Sequence, residues 1–122
     1  MNGTELLLDT NAVITVLHGD PSKLLPSGRY FVSVITELEL LSYPSITKAE
    51  EARIHDLILP EVVIELDQAI KAATVSIRKK HRLKLPDAII AATASTRNLP
   101  LVTNDQHFQR IRELTLLEIP GP

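Results

Sequence analysis

The sequence contains no cysteine and no tryptophan among its 122 residues. Without cysteine the chain forms neither disulfides nor thiolate metal sites, and this composition fits a reducing cytoplasm. Aromatic residues make up only 3% of the chain, so platforms for stacking bases are scarce. No apolar run approaches the ~20 residues of a membrane helix, and the first residues do not resemble a signal peptide. We therefore expect a cytoplasmic protein that does not cross a membrane.

Neither sign of charge dominates the chain. Thirteen lysines and arginines stand against fifteen acids, and the resulting net charge of −2 neither suggests nor excludes a nucleic-acid partner. A hydrophobic fraction of 44% argues against disorder. The length suffices for one domain with a substantial core and is too small for two, so we interpret residues 1–122 as a single domain.

Short apolar runs alternate with helical patterns along the sequence. Strands are predicted at residues 6–8, 30–32, 62–64, 101–103 and 114–119, the last at an edge. Helices are predicted at 12–17, 34–42, 48–59, 68–81 and 87–97, with a loop over 19–28 and a short helix from 104 to 111. On helix 34–42, Val34, Leu38 and Leu41 have the spacing of an apolar face. The alternation predicts an α/β fold, a three-layer α/β/α sandwich around a central, mainly parallel sheet.

Three aspartates occupy comparable places in this pattern. Asp9 directly follows the three leucines of the first strand, Asp105 follows the fourth strand, and Asp87 opens an apolar helix. Each alone could simply cap a helix. If the strands are neighbours, however, the three carboxylates converge at one edge of the sheet, which capping does not explain.

A fourth acid can come from the helix after the second strand, which carries Glu37 and Glu39. Residues two apart on a helix point about 200° apart, so only one of them can face the site. Gathered carboxylates repel one another unless a cation neutralises them. Oxygen ligands without cysteine suit Mg²⁺ or Mn²⁺, and such ions commonly serve phosphoryl chemistry.

Four blocks of sequence together resemble a known family. They are LLDTN at 7–11, SVITELELL at 33–41, LPDAIIAATA at 85–94 and LVTNDQHF at 101–108. In this order and spacing the chain resembles the PIN-domain ribonucleases, and most closely the VapC-type toxins of toxin–antitoxin pairs. The resemblance implies a metal-dependent endoribonuclease with Mg²⁺ or Mn²⁺ as cofactor, which leaves 5′-phosphate and 3′-hydroxyl ends on its RNA substrate.

The resemblance also assigns roles to individual residues. It makes Asp9, Asp87 and Asp105 metal-binding and catalytic acids. The family's glutamate usually lies three residues after a Thr or Ser and before a Leu, which selects Glu39 as the fourth catalytic acid over Glu37. Four residues match positions that support the acids by hydrogen bonding: Thr10, Asn11, Thr103 and Asn104.

The partners that the resemblance implies are RNA, a second copy of the chain in a homodimer, and a cognate antitoxin. The C-terminal segment of the antitoxin would lie across or near the pocket. Helices 34–42 and 48–59 are candidate dimer or antitoxin surfaces, although sequence alone does not separate surface from core there.

A basic run precedes Asp87 and holds five of the thirteen lysines and arginines: Arg78, Lys79, Lys80, Arg82 and Lys84. It either attracts the RNA backbone or is simply a solvated helix end, where the helix dipole favours cations. The four histidines form no ligand set. His107, two residues after Asp105, either supports the acids or lies at the surface, and we expect the surface.

Three alternatives compete with a nuclease. A haloacid-dehalogenase-type phosphatase needs an acid two residues after its nucleophile, where this chain has Asn11, and a receiver domain needs a lysine after its last pocket strands, where none follows Lys84. The third alternative is a non-catalytic PIN-type module that binds RNA or protein. The complete acid set argues against it without excluding it.

Overall fold

The computed structural model describes residues 4–19 and 28–119. Its strands are β1 (Thr4–Leu8), β2 (Gly28–Ser33), β3 (Val63–Ile64), β4 (Leu101–Val102) and β5 (Leu116–Leu117). Its helices are α1 (Thr10–Leu17), α2 (Val34–Leu41), α3 (Lys48–Leu57), α4 (Gln68–His81) and α5 (Leu85–Arg97), with short 3₁₀ helices at Pro60–Val62 and Gln106–Phe108. The predicted alternation is confirmed; residues 20–27 of the predicted loop lie outside the described parts. None of the described helices is long and apolar enough to cross a membrane.

The strands form one sheet in the order β3-β2-β1-β4-β5, and every described pairing is parallel. Leu8, the last residue of β1, pairs with Val32 on one side and Val102 on the other. The chain builds the sheet outward from β1 through β2 and β3, then returns to the other side of β1 for β4 and β5. The strand order therefore reverses between β1 and β4, and ligands of α/β sheets bind at the carboxyl ends of such strands.

The leucines of β1 are buried because the sheet is covered on both faces, as the uninterrupted apolar run predicts. Successive side chains of a strand point to opposite faces. Leu6 and Leu8 accordingly pack with α1, α2 and α3, whereas Leu7 packs with α4 and α5. These two clusters complete the predicted α/β/α sandwich.

The apolar face predicted for the helix after β2 is only partly buried: Val34 and Leu41 are half-buried, and Leu38 is the exception. Leu38 is 56% exposed, and the buried positions of α2 are Thr36 and Leu40. Thr36 tolerates burial because its hydroxyl lies 3.0 Å from the Thr10 hydroxyl, at hydrogen-bonding distance. Thr36 is thus a polar residue at a core position of α2, and its hydrogen-bond partner makes this burial possible.

Helices α4 and α5 form an antiparallel pair that carries Asp87 to the sheet. Asp67 caps α4, and its second carboxylate oxygen lies 3.0 Å from Arg97 at the far end of α5. At the other end, Arg82 adopts a left-handed conformation (φ 54°) that ends α4 and turns the chain into α5. The C-terminus of α4 therefore lies beside the N-terminus of α5, where Asp87 sits.

Candidate active site

Asp9 is both a helix cap and the buried centre of a group of acids. Its Oδ1 accepts a 2.7 Å hydrogen bond from the backbone N–H of Ala12, and its Oδ2 accepts one from the hydroxyl of Thr103. The residue is only 3% exposed. Burial raises the pKa of Asp9, the two hydrogen bonds oppose the rise, and the negative charges of Asp105 and Asp87 add to it. The sequence left open whether Asp9 caps a helix or belongs to a group of acids. One carboxylate does both.

Asp87, the third residue of α5, is half-buried near two further acids. Burial raises its pKa first of all, and the charges of Asp105 and Glu39 raise it further. The imidazole of His107 and the ammonium of Lys84, the residue that precedes α5, act in the opposite direction. Asp87 therefore lies in a locally negative field, as expected for converging carboxylates.

Asp105 joins the end of β4 to the group. Its Oδ1 caps the short helix Gln106–Phe108 through the backbone N–H of His107 and also lies 3.0 Å from His107 Nδ1. One ligand atom each from Asp87, Asp105 and His107 lies within 4.8 Å of the others. His107 is at the surface as expected, but it lies beside the acids. The only sequence signal for this was its position two residues after Asp105.

Glu39 reaches the same group from α2. Its Oε1 accepts a 2.7 Å hydrogen bond from the Thr10 hydroxyl, and its charge acts on Asp87. Glu37, two positions earlier on the helix, therefore points to another side. The structure thus brings Asp9, Asp87, Asp105 and Glu39 together at the strand ends where the sheet order reverses.

The residues expected to support the acids divide into two pairs. Thr10 binds Glu39, and Thr103 donates to Asp9 while accepting a 2.9 Å hydrogen bond from the backbone N–H of Asp105. Within the described residues, no hydrogen bond joins the side chain of Asn11 or Asn104 to an acid, so for these two the expected bond is missing.

The amide of Asn104 instead holds the segment after β5. Its Oδ1 accepts from Ile119 N at 3.0 Å, and its Nδ2 donates to Ile119 O at 3.3 Å. Consecutive residues of extended backbone point to opposite sides, so Thr103 and Asp105 face the acids while Asn104 faces away. Asn11 is an exposed residue in the first turn of α1.

The acid group fits a divalent cation. Asp9 and Asp87 have raised pKa values because burial and neighbouring carboxylates disfavour their charged forms, and a cation would remove that penalty. Carboxylate oxygens are the donors that Mg²⁺ and Mn²⁺ prefer. The imidazole of His107 adds a nitrogen donor, which Mg²⁺ uses less readily than a transition ion does.

The basic run lies on the surface, and its last member, Lys84, is next to this site. All five of its cations are exposed: Arg78, Lys79, Lys80, Arg82 and Lys84. Arg78 Nε donates to the carbonyl of Leu83 at 3.2 Å, so part of its function is to hold the turn between α4 and α5. Lys84 is the member whose charge acts on Asp87.

An apolar groove with a volume of about 630 Å³ opens beside Glu39. Thr10 and Glu39 line the groove where it meets the acids, and the rest of its lining comes from α1 and its C-cap His18, from Leu40 of α2, from residues 42–46 and from α3. Ile14 and Tyr43, which are 38% and 66% exposed, contribute apolar surface to it. Sequence reasoning named α2 and α3 as candidate surfaces but missed the contribution of α1.

Comparison with known proteins agrees with this geometry. The PIN domain family matches residues 6–114 of the chain. No curated protein sequence matches closely enough to add to this comparison.

Several solved structures share the fold over nearly the whole chain. A toxin–antitoxin complex from Klebsiella pneumoniae is 28% identical, with a TM-score of 0.71 over 90% of this chain and 95% of its own. VapBC-1 from nontypeable Haemophilus influenzae is 28% identical, with a TM-score of 0.68 over 94% and 98%. A DNA-bound VapBC from Salmonella typhimurium is 25% identical, with a TM-score of 0.76 over 94% and 98%.

Proposed function

The chain belongs to the PIN domain family, and we propose that it is a metal-dependent endoribonuclease acting as the toxin of a toxin–antitoxin pair in the cytoplasm. The observation that carries the nuclease assignment is the convergence of Asp9, Asp87, Asp105 and Glu39 at one edge of the sheet. The toxin assignment is supported by the similarity to toxin–antitoxin complexes over at least nine tenths of the chain.

In this proposal Asp9, Asp87 and Asp105 hold a Mg²⁺ or Mn²⁺ ion. When bound, the ion supplies positive charge for the substrate phosphate and lowers the pKa of a water. Thr103 and the N–H of Ala12 fix the orientation of Asp9, so this buried carboxylate loses little freedom on binding. Thr103 also fixes the backbone at Asp105. The set is therefore preorganised before substrate arrives.

Glu39 has a different place in the proposal because it is exposed. The hydrogen bond from Thr10 occupies Oε1, which leaves Oε2 available to the attacking water. We assign Oε2 the role of orienting that water and accepting its proton as the phosphodiester bond is hydrolysed. The products are one strand with a 5′-phosphate and one with a 3′-hydroxyl.

The test is cleavage of cellular RNA in the presence of Mg²⁺ or Mn²⁺, with end-mapping of the products. We expect Asp9→Asn and Asp87→Asn each to lower the rate by at least about a hundredfold. Asp56→Asn on exposed α3 is the matched control and should retain full activity. A wild type that cuts no RNA, or aspartate variants that cut as well as the control, would favour the non-catalytic binding module instead.

We further propose that the apolar groove beside Glu39 binds the antitoxin. An antitoxin segment with apolar side chains would cover Ile14 and Tyr43 and would extend to Thr10 and Glu39 at the acid end. Such a segment would exclude RNA from the acids, which links binding to inhibition. Binding of the segment would also remove the apolar area of the groove from water. Burial of apolar area is the usual source of affinity when a peptide segment binds in a groove.

Ile14→Asp tests the groove in a titration with the cognate antitoxin. We expect weaker antitoxin binding with unchanged RNA cleavage, because Ile14 lies in the groove and outside the acid group. Leu66→Asp, at a position 40% exposed and outside the groove, is the matched control. Equal binding by both variants would place the antitoxin elsewhere.

We also propose that the chain forms a homodimer. The resemblance to VapC-type toxins carries this proposal; Leu38 and Val75, both 56% exposed, are apolar residues outside the groove. Light scattering coupled to size-exclusion chromatography measures the mass directly. A monomeric mass across the micromolar range would contradict the dimer.

A further inference from the structure

A second cleft, lined by charged and titratable residues, lies between the end of α4 and the segment that follows the helix Gln106–Phe108. It has a volume of about 430 Å³ and is lined by Lys80, His81, Arg110, Arg112 and Glu113. Ile111 is 2% exposed and packs in the core cluster of α4 and α5. Because this residue is anchored inside, its neighbours Arg110 and Arg112 project outward into solvent.

The charge of the cleft is opposite to that of the whole chain. Three permanent cations face one carboxylate, Glu113, which lies 4.0 Å from Lys80 and 3.7 Å from His81. Among the residues that the structure describes, Arg110 and Arg112 make no ion pair. Their guanidinium groups are therefore available to an external anion. The net charge of −2 does not reveal this local excess of cations.

Two short segments of the chain, residues 81–84 and 107–110, connect the cleft to the neighbourhood of the acids. His81 lies three positions before Lys84, whose charge acts on Asp87, and His107 lies three positions before Arg110. Three residue steps span at most about 11 Å. A single nucleic-acid strand that enters the acid pocket could thus continue into the cleft within a few nucleotides.

The cleft's side chains suit a phosphate backbone rather than bases. Guanidinium groups bind phosphate oxygens in a bidentate manner, and lysine adds a point charge. Its lining residues include no tryptophan, tyrosine or phenylalanine, the large aromatic side chains that serve as stacking platforms for bases. We propose that Lys80, Arg110 and Arg112 bind the phosphodiester backbone of single-stranded RNA beside the acid pocket, independently of sequence. This inference rests on the proposed ribonuclease function and adds to it a track for the substrate.

The test measures binding in EDTA, where no cleavage can occur, so its result does not depend on whether the chain is a nuclease. The probe is a fluorescein-labelled oligouridylate of about 12 nucleotides, followed by anisotropy over a range of salt concentrations. For Arg110→Gln/Arg112→Gln we expect about tenfold weaker binding near 0.1 M salt, because two phosphate contacts are lost. The slope of log K against log salt should fall by about 1.4 in magnitude.

Arg29→Gln/Lys71→Gln removes the same charge at exposed positions away from the cleft and should change binding less than about twofold. An equal loss in this control would make net charge responsible and would overturn the proposal. Wild-type affinity for RNA in the cleft variant would also overturn the proposal. Polyglutamate is a second probe: if the cleft variant loses polyglutamate binding and keeps RNA binding, the cleft binds an acidic peptide instead. Circular dichroism verifies folding, and the single variants, each with about half the slope change, test the same contacts independently.

Discussion

The Thr10 hydroxyl donates a 2.7 Å hydrogen bond to Oε1 of Glu39, across 29 positions of the sequence. This bond joins the first turn of α1 to α2 and holds an exposed carboxylate at the rim of the acid pocket. Thr10 also lies within hydrogen-bonding distance of buried Thr36. One hydroxyl thus connects the core of α2 to the orientation of its acid.

We predict that Glu39→Gln lowers kcat for RNA cleavage by at least about a hundredfold, as expected for loss of a proton acceptor. Glu37→Gln is the matched control, since it removes the same charge from the same helix on another side. Initial rates with one RNA substrate at saturating metal measure both. If Glu37→Gln is the slower variant, the assignment of the helix acid must be reversed.

Thr10→Val should lower kcat about tenfold by releasing Glu39, while KM changes little. Thr10→Ser keeps the hydroxyl and should restore most of the rate, which separates positioning from a loss of packing. The measurement is a comparison of kcat and KM for the two variants under the same conditions. Equal impairment of both variants would contradict a role for the hydrogen bond.

Metal binding should be visible as stability. At a Mn²⁺ concentration about 100 times Kd, the free energy of unfolding rises by about 2.7 kcal/mol for a single site. Asp105→Asn removes a ligand and should show a smaller increase in Tm than the wild type on adding Mn²⁺. Differential scanning fluorimetry with and without the ion measures this difference. The same shift in both proteins would mean that Asp105 serves only as a cap for Gln106–Phe108.

The raised pKa of Asp87 predicts a pH dependence in the metal-free protein. Above its unfolded pKa of about 3.9, the folded state binds more protons at this position than the unfolded state. The free energy of unfolding therefore falls as pH rises through the window up to the raised folded pKa. In EDTA at pH 7, Asp87→Asn should accordingly melt about 3 °C higher than the wild type.

Thermal melts of both proteins between pH 4 and pH 7, taken at about 0.15 M salt, measure this difference. It should narrow toward the acidic end, where the wild-type carboxyl becomes protonated. A wild type that is the more stable protein at pH 7 in EDTA would mean that interaction of Asp87 with the N-terminus of α5 outweighs the repulsion.

Sequence alone predicted the positions of Asp9, Asp87 and Asp105 because each stands at a recognisable junction between a strand or loop and a helix. Their convergence depended on β1 and β4 being neighbours, which local patterns do not specify and the sheet order shows. Glu39 was selected by family resemblance, and the Thr10 contact supplies the physical reason.

Other features depend on contacts that no local pattern encodes. Leu38 has the spacing of an apolar helix face but is 56% exposed, whereas Thr36 is buried with a hydroxyl partner from another helix. His107 and the arginines at 110 and 112 lie on irregular backbone without periodicity. Their proximity to the acids and to Lys80 arises only when the chain folds.

The hydrogen bond between Thr103 and Asp9 spans 94 positions, so it closes one of the longest loops in the described chain. Contacts of such separation form late, because the entropy of loop closure must be offset by the rest of the fold. During synthesis, Asp9, Glu39 and Asp87 emerge from the ribosome before β4 does, and until β4 emerges the pocket lacks both Asp105 and the hydroxyl that orients Asp9. The acid group is therefore completed only when nearly the whole chain has been made.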